Sequence, residues 1–316
     1  MARTISYREA IAEALAQEMA RDESVLVLGV TEGLSHRFPG RVLDTSISES
    51  AFVGAAIGAA TRGQRPVAEL GFVDFMGVCF DQIFNQAAKF RYMFGGGART
   101  PVVIRTMYGA GLRAAAQHSQ CLYPIFTHVP GLKVVVPASP YEAKGLLTQS
   151  IRDDDPVIFC EHKALYDTSG DVPEESYTIP FGEANVVRDG VDVTIVAIGR
   201  MVAVAESAAA ELTASGIEAE ILDPRTTSPL DTGTILASVE KTGRLVVVDE
   251  ASPRCNLATD ISALVAKEAF GSLRAPIEMV TPPHTPVPFS DALEDLYIPD
   301  AQKVLNAAKA VVEYRR

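Results

Sequence analysis

The chain has 316 residues, 47% of them hydrophobic and 22% charged, and its 28 basic and 40 acidic side chains leave a net charge of −12. That length suits about two domains of roughly 150 residues, and the apolar content is far too high for a disordered chain. An acidic surface repels phosphate backbones and anionic headgroups, which excludes a nucleic-acid binder and a peripheral membrane protein.

In chain order, Ser6-Tyr-Arg-Glu9 is a capping box that opens a helix with Ile11, Leu15 and Met19 on one face. Residues 25–28 and 41–47 read as strands, 48–62 as a small-residue helix ended by Gly63, and 66–72 as a strand. A long helix is expected over 74–94, closed by Gly95-Gly96-Gly97, then a strand over 101–107 and an irregular stretch to Pro130. A strand over 132–137 precedes a second capping box, Ser139-Pro-Tyr-Glu142, whose helix ends near Arg152. After a strand at 156–161 the pattern breaks: residues 165–180, with Gly170, Pro173, Pro180 and several acids, read as a linker. A second series follows, with strands at 193–198, 220–223, 244–249 and 277–280 alternating with helices to 215, over 231–241, over 257–270 and from 301 onward. Apolar strands alternating with helices imply an α/β fold with two doubly wound domains. The expected boundaries are 1–165, a linker over 166–185, and 186–316.

No apolar run approaches the roughly 18 residues of a membrane span. The start carries Arg3, Arg8, Glu9 and Glu13, unlike a secretory leader. Cys79, Cys121, Cys160 and Cys255 lie far apart without a CxxC pair, so the expectation is a cytoplasmic protein without zinc or disulfides.

Gly109-Ala-Gly111-Leu-Arg-Ala114 follows a strand and matches the dinucleotide fingerprint in form. The fingerprint needs an acid about 20 residues on, at the end of the next strand. Residues 129–133 carry none, so a glycine-rich loop is the better reading. Glu49, in Asp44-Thr-Ser-Ile-Ser-Glu-Ser50, sits at a strand-to-helix junction. By spacing, Ser46-Ile-Ser-Glu49 reads as a capping box. The carboxyl ends of strands in open α/β sheets are also where ligands bind, which makes Glu49 a candidate acid. His118 lies in the irregular stretch, open either to catalysis or to satisfaction within its own loop. Phe75 reads first as core, and Asp153-Asp154-Asp155 as a solvated turn or a cation ligand. His36, His128, His162 and His284 form no ligand spacing. The residues by themselves select no reaction.

The stretches DTSISESAFVGAAIGAA (44–60), RPVAELGFVDF (65–75), FDQIFNQAAKFRY (80–92), AAQHSQC (115–121), PGLKVVVP (130–137), AKGLL (143–147), IRDDDPVIF (151–159) and KTGRLVVVDE (241–250) occur in this order. Together they resemble the β subunits of the thiamine-diphosphate-dependent first enzyme of 2-oxo acid dehydrogenase complexes, over nearly the whole chain. FCEHKALYD, DPRTTSPLD, SPRCNLATDI and TPPHTPVPFSDALEDLYIP are most similar to the acetoin-cleaving branch of that family.

The resemblance implies a transketolase-like pyrimidine-binding domain followed by a transketolase C-terminal domain. It implies an α subunit in an α2β2 heterotetramer and a lipoyl-bearing acyltransferase core as partners. Thiamine diphosphate would sit at the α/β interface, its diphosphate and Mg2+ held by the α subunit; this chain has no GDG…N signature for that task. Acetoin would be cleaved to acetaldehyde and a hydroxyethyl group that passes as acetyl to lipoamide. Pyruvate or a branched-chain 2-oxo acid, with CO2 release, is the alternative. Glu49 matches the family's catalytic glutamate, bonded to N1′ of the aminopyrimidine. Phe75 matches the residue packed on that ring, and Ile47 lines the same pocket. His118 matches a histidine facing the reacting carbons, in proton or lipoyl transfer. The carbonyls of Val102, Ser150, Asp153 and Asp155 match a structural potassium site of some members.

Two departures stand out. After the first strand the family carries a further segment beginning Gly-Glu-Asp-Val, whereas Val27-Leu-Gly29 here runs straight into Val30-Thr-Glu-Gly-Leu34. The expectation is that the protein has this segment and the sequence omits it; a true deletion would shorten a loop near the cofactor. Gly71 stands where a larger residue is common, which implies a roomier pocket.

Overall fold

A computed structural model describes residues 2–29 and 33–315. The elements in chain order begin with β1 (Ala2–Ser6), α1 (Tyr7–Arg21), β2 (Val25–Leu28), α2 (Leu34–Arg37), β3 (Val42–Leu43), α3 (Glu49–Thr61) and β4 (Arg65–Phe72). A 3-10 segment (Val73–Cys79) and a π segment (Gln82–Ala87) lead into α4 (Ala88–Met93). Then come β5 (Val103–Tyr108), α5 (Tyr123–Thr127), β6 (Lys133–Val135), α6 (Pro140–Arg152), β7 (Val157–His162) and β8 (Ser169–Pro173). The rest comprises β9 (Asn185–Arg188), β10 (Val193–Ala197), α7 (Met201–Ala214), β11 (Ala219–Asp223), β12 (Thr226–Ser228), α8 (Thr232–Thr242), β13 (Leu245–Val248), α9 (Leu257–Glu268), β14 (Glu278–Val280), α10 (Asp291–Tyr297) and α11 (Ala301–Glu313). The chain divides into two units, Met1–Tyr108 with Ile125–Phe181, and Gly109–Pro124 with Gly182–Arg316.

In the first unit the strands run β6-β7-β5-β4-β2-β3, all parallel. Val67, Val103, Val135, Val157 and Phe159 enter a core with Tyr7, Leu15 and Met19 of α1 and Leu146, Leu147 and Ile151 of α6. Their strand neighbours Ala68, Ile104, Val134 and Ile158 are also buried and point to the opposite face. Such continuous apolar runs are what a parallel sheet covered on both sides requires. In the second unit the order is β14-β13-β10-β11-β9, parallel except for the antiparallel edge strand β9, and every residue of β10, β11 and β13 is buried.

Three expectations are corrected. The strand at 41–47 shrinks to Val42 and Leu43, because β3 is a sheet edge and the residues after it, Asp44, Ser46 and Ser48, are polar and exposed. The helix at 74–94 changes type along its length. Its π turn carries an extra residue and rotates the face, and Phe80 and Phe84 stack at 4.6 Å with Phe126 edge-on to both. The stretch at 165–180 is not featureless, since β8 pairs antiparallel with β1, from Ala2 opposite Pro173 to Ser6 opposite Ser169. Only Val172 of β8 is fully buried, so a polar edge strand left no alternation to read.

Candidate active site

The capping-box reading of Glu49 does not hold. Helix α3 begins at Glu49 itself, with Ser48 as its N-cap at φ −159° and ψ 69° and no side-chain cap bond. Glu49 therefore occupies the first helical position rather than the third. A carboxylate there lies by the positive end of the helix dipole and cannot fold back onto the cap amide. Among the described residues no hydrogen bond or ion pair engages it. Ser50 Oγ donates to the Val78 carbonyl at 2.7 Å, which ties the mouth of α3 to the 3-10 segment carrying Phe75. That segment follows a register shift between Leu70 and Phe72, where Gly71 is the extra residue of a bulge against β5. Bulges at strand ends re-aim the chain. Phe75 meets Phe72 edge-on at 6.2 Å. A Cβ at Gly71, which is exposed, would meet nothing within 4 Å. Ile47 is an apolar side chain 94% exposed. The structure thus gathers Glu49 and Phe75 on adjoining elements, with Ile47 two residues before the glutamate. Sequence reasoning missed Cys79, a buried thiol that burial and then the Glu49 carboxylate push up to about 12. It stays protonated and is no nucleophile.

The three aspartates are not a solvated turn: their carboxylates are paired with cationic side chains. Lys133 Nζ reaches both Asp153 oxygens at 2.7 Å and Asp155 at 3.3 Å, Arg65 and Arg99 take Asp154 at 2.7 and 2.6 Å, and Arg91 pairs with Asp155. Burial alone would raise Asp155; Arg91 and Lys133 bring it below the ordinary carboxylate value. Nearby, the Val102 carbonyl accepts from Val157 N at 2.9 Å and the Ser150 carbonyl from Asp153 N at 3.3 Å. The Asp153 carbonyl accepts from Arg65 Nη1 at 2.8 Å.

His118 lies in the other unit, in the excursion Gly109–Pro124. No helix follows Gly109–Ala114 before Tyr123, so the dinucleotide fingerprint has no structural counterpart. The loop is held by acids that sequence reasoning overlooked. Glu250, just beyond β13, accepts from Ala110 N at 2.7 Å, and Glu294 of α10 accepts from Gly111 N at 2.8 Å and Arg113 N at 3.1 Å. Asp249 accepts from the Tyr123 hydroxyl and, at 2.8 Å, from Ala251 N. Burial raises the Asp249 carboxyl, against the pull of these donors. Asp249 and Glu250 stand at the carboxyl end of a strand, the one signal that could have marked them. The tail of the loop, including Gln120 and Cys121, lines a cavity of about 370 Å³ with His284 and Tyr297. Burial, then the charges of Cys121 and Glu250, push the Tyr297 phenol up to about 12, so it remains a donor.

A parallel α/β unit with a carboxylate and an aromatic at its strand ends, followed by a second α/β unit, is transketolase architecture. The transketolase pyrimidine-binding domain matches residues 3–168 and the transketolase C-terminal domain residues 182–304, and the chain belongs to this thiamine-diphosphate-dependent family. Within it, the chain is 65% identical to the acetoin:2,6-dichlorophenolindophenol oxidoreductase subunit beta of Cupriavidus necator over 99% of both chains. It is 54% identical to the subunit of that name from Bacillus subtilis, over 97% of this chain and 96% of that one. The pyruvate dehydrogenase E1 component subunit beta of Rickettsia felis is 46% identical over 98% and 99%. A solved split-gene transketolase, an inactive β4 tetramer, superposes with a TM-score of 0.82 at 25% identity over 99% of each chain. The Cupriavidus alignment runs over 334 positions, 18 more than the 316 residues here, so that relative has residues with no counterpart in this sequence. The junction after Gly29, where the sequence led us to expect a further segment, lies outside the described residues.

Proposed function

We propose that the chain is the β subunit of a thiamine-diphosphate-dependent acetoin dehydrogenase, working with an α subunit in an α2β2 heterotetramer. The observation that carries this is the 65% identity, over 99% of both chains, to a subunit named for acetoin, against 46% for one named for pyruvate. Acetoin is cleaved to acetaldehyde, and the remaining two-carbon unit passes as acetyl to the lipoyl arm of an acyltransferase core. Location in the cytoplasm belongs to the same proposal; the four cysteines are free, and among the described residues no helix is long and apolar enough to cross a membrane.

Thiamine diphosphate, when bound, supplies a carbon nucleophile and an electron sink. Glu49 would hold its aminopyrimidine and exchange a proton at the ring nitrogen. A carboxylate at the first position of α3, engaged by none of the described residues, suits that task. Phe75 and Ile47 would bracket the ring, and the 94% exposure of Ile47 fits a side chain that waits for a ligand and a partner. His118 would move a proton at the substrate oxygen or at the lipoyl sulfur. The diphosphate and Mg2+ go to the α subunit in this reading. A potassium ion on the carbonyls of Val102, Ser150, Asp153 and Asp155 fits less well, because the Arg65 guanidinium already donates to the Asp153 oxygen; no step depends on it.

The test is a substrate panel on the α/β pair with thiamine diphosphate, Mg2+ and an electron-accepting dye. Turnover of acetoin with acetaldehyde release and no CO2 is expected. Preference for pyruvate or a branched 2-oxo acid, with CO2, would replace the substrate while keeping the roles of Glu49 and Phe75.

A further inference from the structure

The excursion Gly109–Pro124 is strained where a loop could have relaxed. Arg113 and Ala115 have φ of 57° and 60°, in the left-handed region that side-chain-bearing residues rarely adopt. Gly111, at φ 103°, is confined as well, since a Cβ there would meet Arg200 Nη1 at 3.2 Å. His118 hangs from this strained turn, its N–H reaching back to the Ala115 carbonyl at 3.4 Å.

What holds the turn is one side chain. Glu294 has no exposed surface. One of its oxygens accepts from Gly111 N at 2.8 Å; the other accepts from Arg113 N at 3.1 Å and Arg113 Nη1 at 2.8 Å. Arg113 also reaches Asp295 at 2.6 Å, which locks its guanidinium over the same helix. A buried carboxylate is costly unless fully bonded, and removing one partner leaves the others unsatisfied. An ordinary connection would be closed by its own turn bonds; here a charged group 183 residues along the chain grips Gly111 and, two positions on, Arg113. Outliers stabilised in this way point to a backbone whose place matters.

We propose that Glu294 is a positioning residue: its carboxylate fixes the left-handed turn from Gly111 to Ala115 and thereby sets where His118 presents its imidazole. This rests on the reading of His118 as a participant in the reaction. Glu250, on Ala110 N, steadies the entrance to the turn.

The test uses the α/β complex carrying Glu294→Ala, Glu294→Gln, His118→Ala, and His118→Ala combined with Glu294→Ala. Glu294→Ala should lower kcat on the order of 10²-fold, the cost of a small misplacement of a reacting group, with affinity for thiamine diphosphate unchanged. Glu294→Gln, which still accepts from Gly111, should recover part of the loss. In the His118→Ala background the Glu294→Ala change should cost less than about twofold more, because the two act as a unit. Hydrogen exchange of the Gly111 and Arg113 amides should accelerate in Glu294→Ala while the β10 amides keep their protection; this reads the clamp even if turnover is lost. A full, multiplicative loss on top of His118→Ala, or unchanged exchange at Gly111 and Arg113, would overturn the proposal while leaving the role of His118 standing. Wild-type turnover of His118→Ala would instead remove the reading beneath it.

Discussion

Three helices of the first unit have a serine three residues before a glutamate at their mouths, and they use the pair differently. At α1 the box closes: Ser6 Oγ accepts from Glu9 N at 3.3 Å and the Glu9 carboxylate accepts from Ser6 N at 2.7 Å. At α6 Ser139 Oγ accepts from Glu142 N at 3.2 Å, and buried Glu142 accepts from Ala138 N at 3.0 Å. At α3 the helix starts two residues later than the spacing asks, so Glu49 stands at its first position, its oxygens engaged by none of the described residues. A capping glutamate is a structural part because its hydrogen bonds are satisfied locally. The same residue moved to the first position becomes available to a ligand.

The comparison breaks or sharpens with mutation. The largest effect expected is from Glu49→Gln, a loss of turnover on the order of 10²–10⁴-fold with an unchanged melting temperature; Ser46→Ala should alter neither, and steady-state kinetics with thermal melts on the α/β complex would show it. If Ser46→Ala destabilised the protein as a cap does, the contrast would fail. Next in size, Glu142→Ala should cost about 1–2 kcal/mol of stability, since it strips the half-buried Ala138 amide of its acceptor, while turnover per folded enzyme stays constant; urea unfolding measures the first and active-site titration the second.

Acid should weaken the fold through its structural carboxylates, Glu18 of α1 among them. Burial alone would raise Glu18, but its bonds to Arg152 and Arg21 hold it below the ordinary value. A lowered folded pKa gives stability that is complete above the unfolded value of about 4.3 and lost as pH falls through the folded value. Melting temperature should therefore be flat from neutral pH down to about 5 and fall below about 4, and Arg152→Ala, which raises the folded value toward the unfolded one, should shrink that fall. The smallest effect concerns Cys79. Since its thiol is pushed up to about 12, a thiol-alkylating reagent at mildly alkaline pH should label exposed Cys255 and spare Cys79 in the folded enzyme, as peptide mapping would report.

Much of the first unit was legible because its signals are local. Buried strands such as 25–28 and 156–161 read as apolar runs, and the caps of α1 and α6 stand beside the helices they start. At Glu49 the spacing left a cap and a candidate acid both open; the helix start, two residues later than the spacing asks, removes the cap, and spacing does not encode that shift. The bulge at Gly71 was hidden for a similar reason, since a bulge exists only relative to the strand paired beside it.

The sequence by itself determined the alternation of strand and helix, the two-part division and the family, because periodicity, capping and motif order lie in neighbouring residues. Only the tertiary structure decided that the loop of His118 belongs with the second unit and that β8 completes a ribbon with β1. It alone showed that Asp249, Glu250 and Glu294 grip that loop. These pairings join residues more than a hundred positions apart, and an acid leaves no local sign that its partner will be a backbone amide elsewhere. Its burial is affordable only once the fold has delivered the donors.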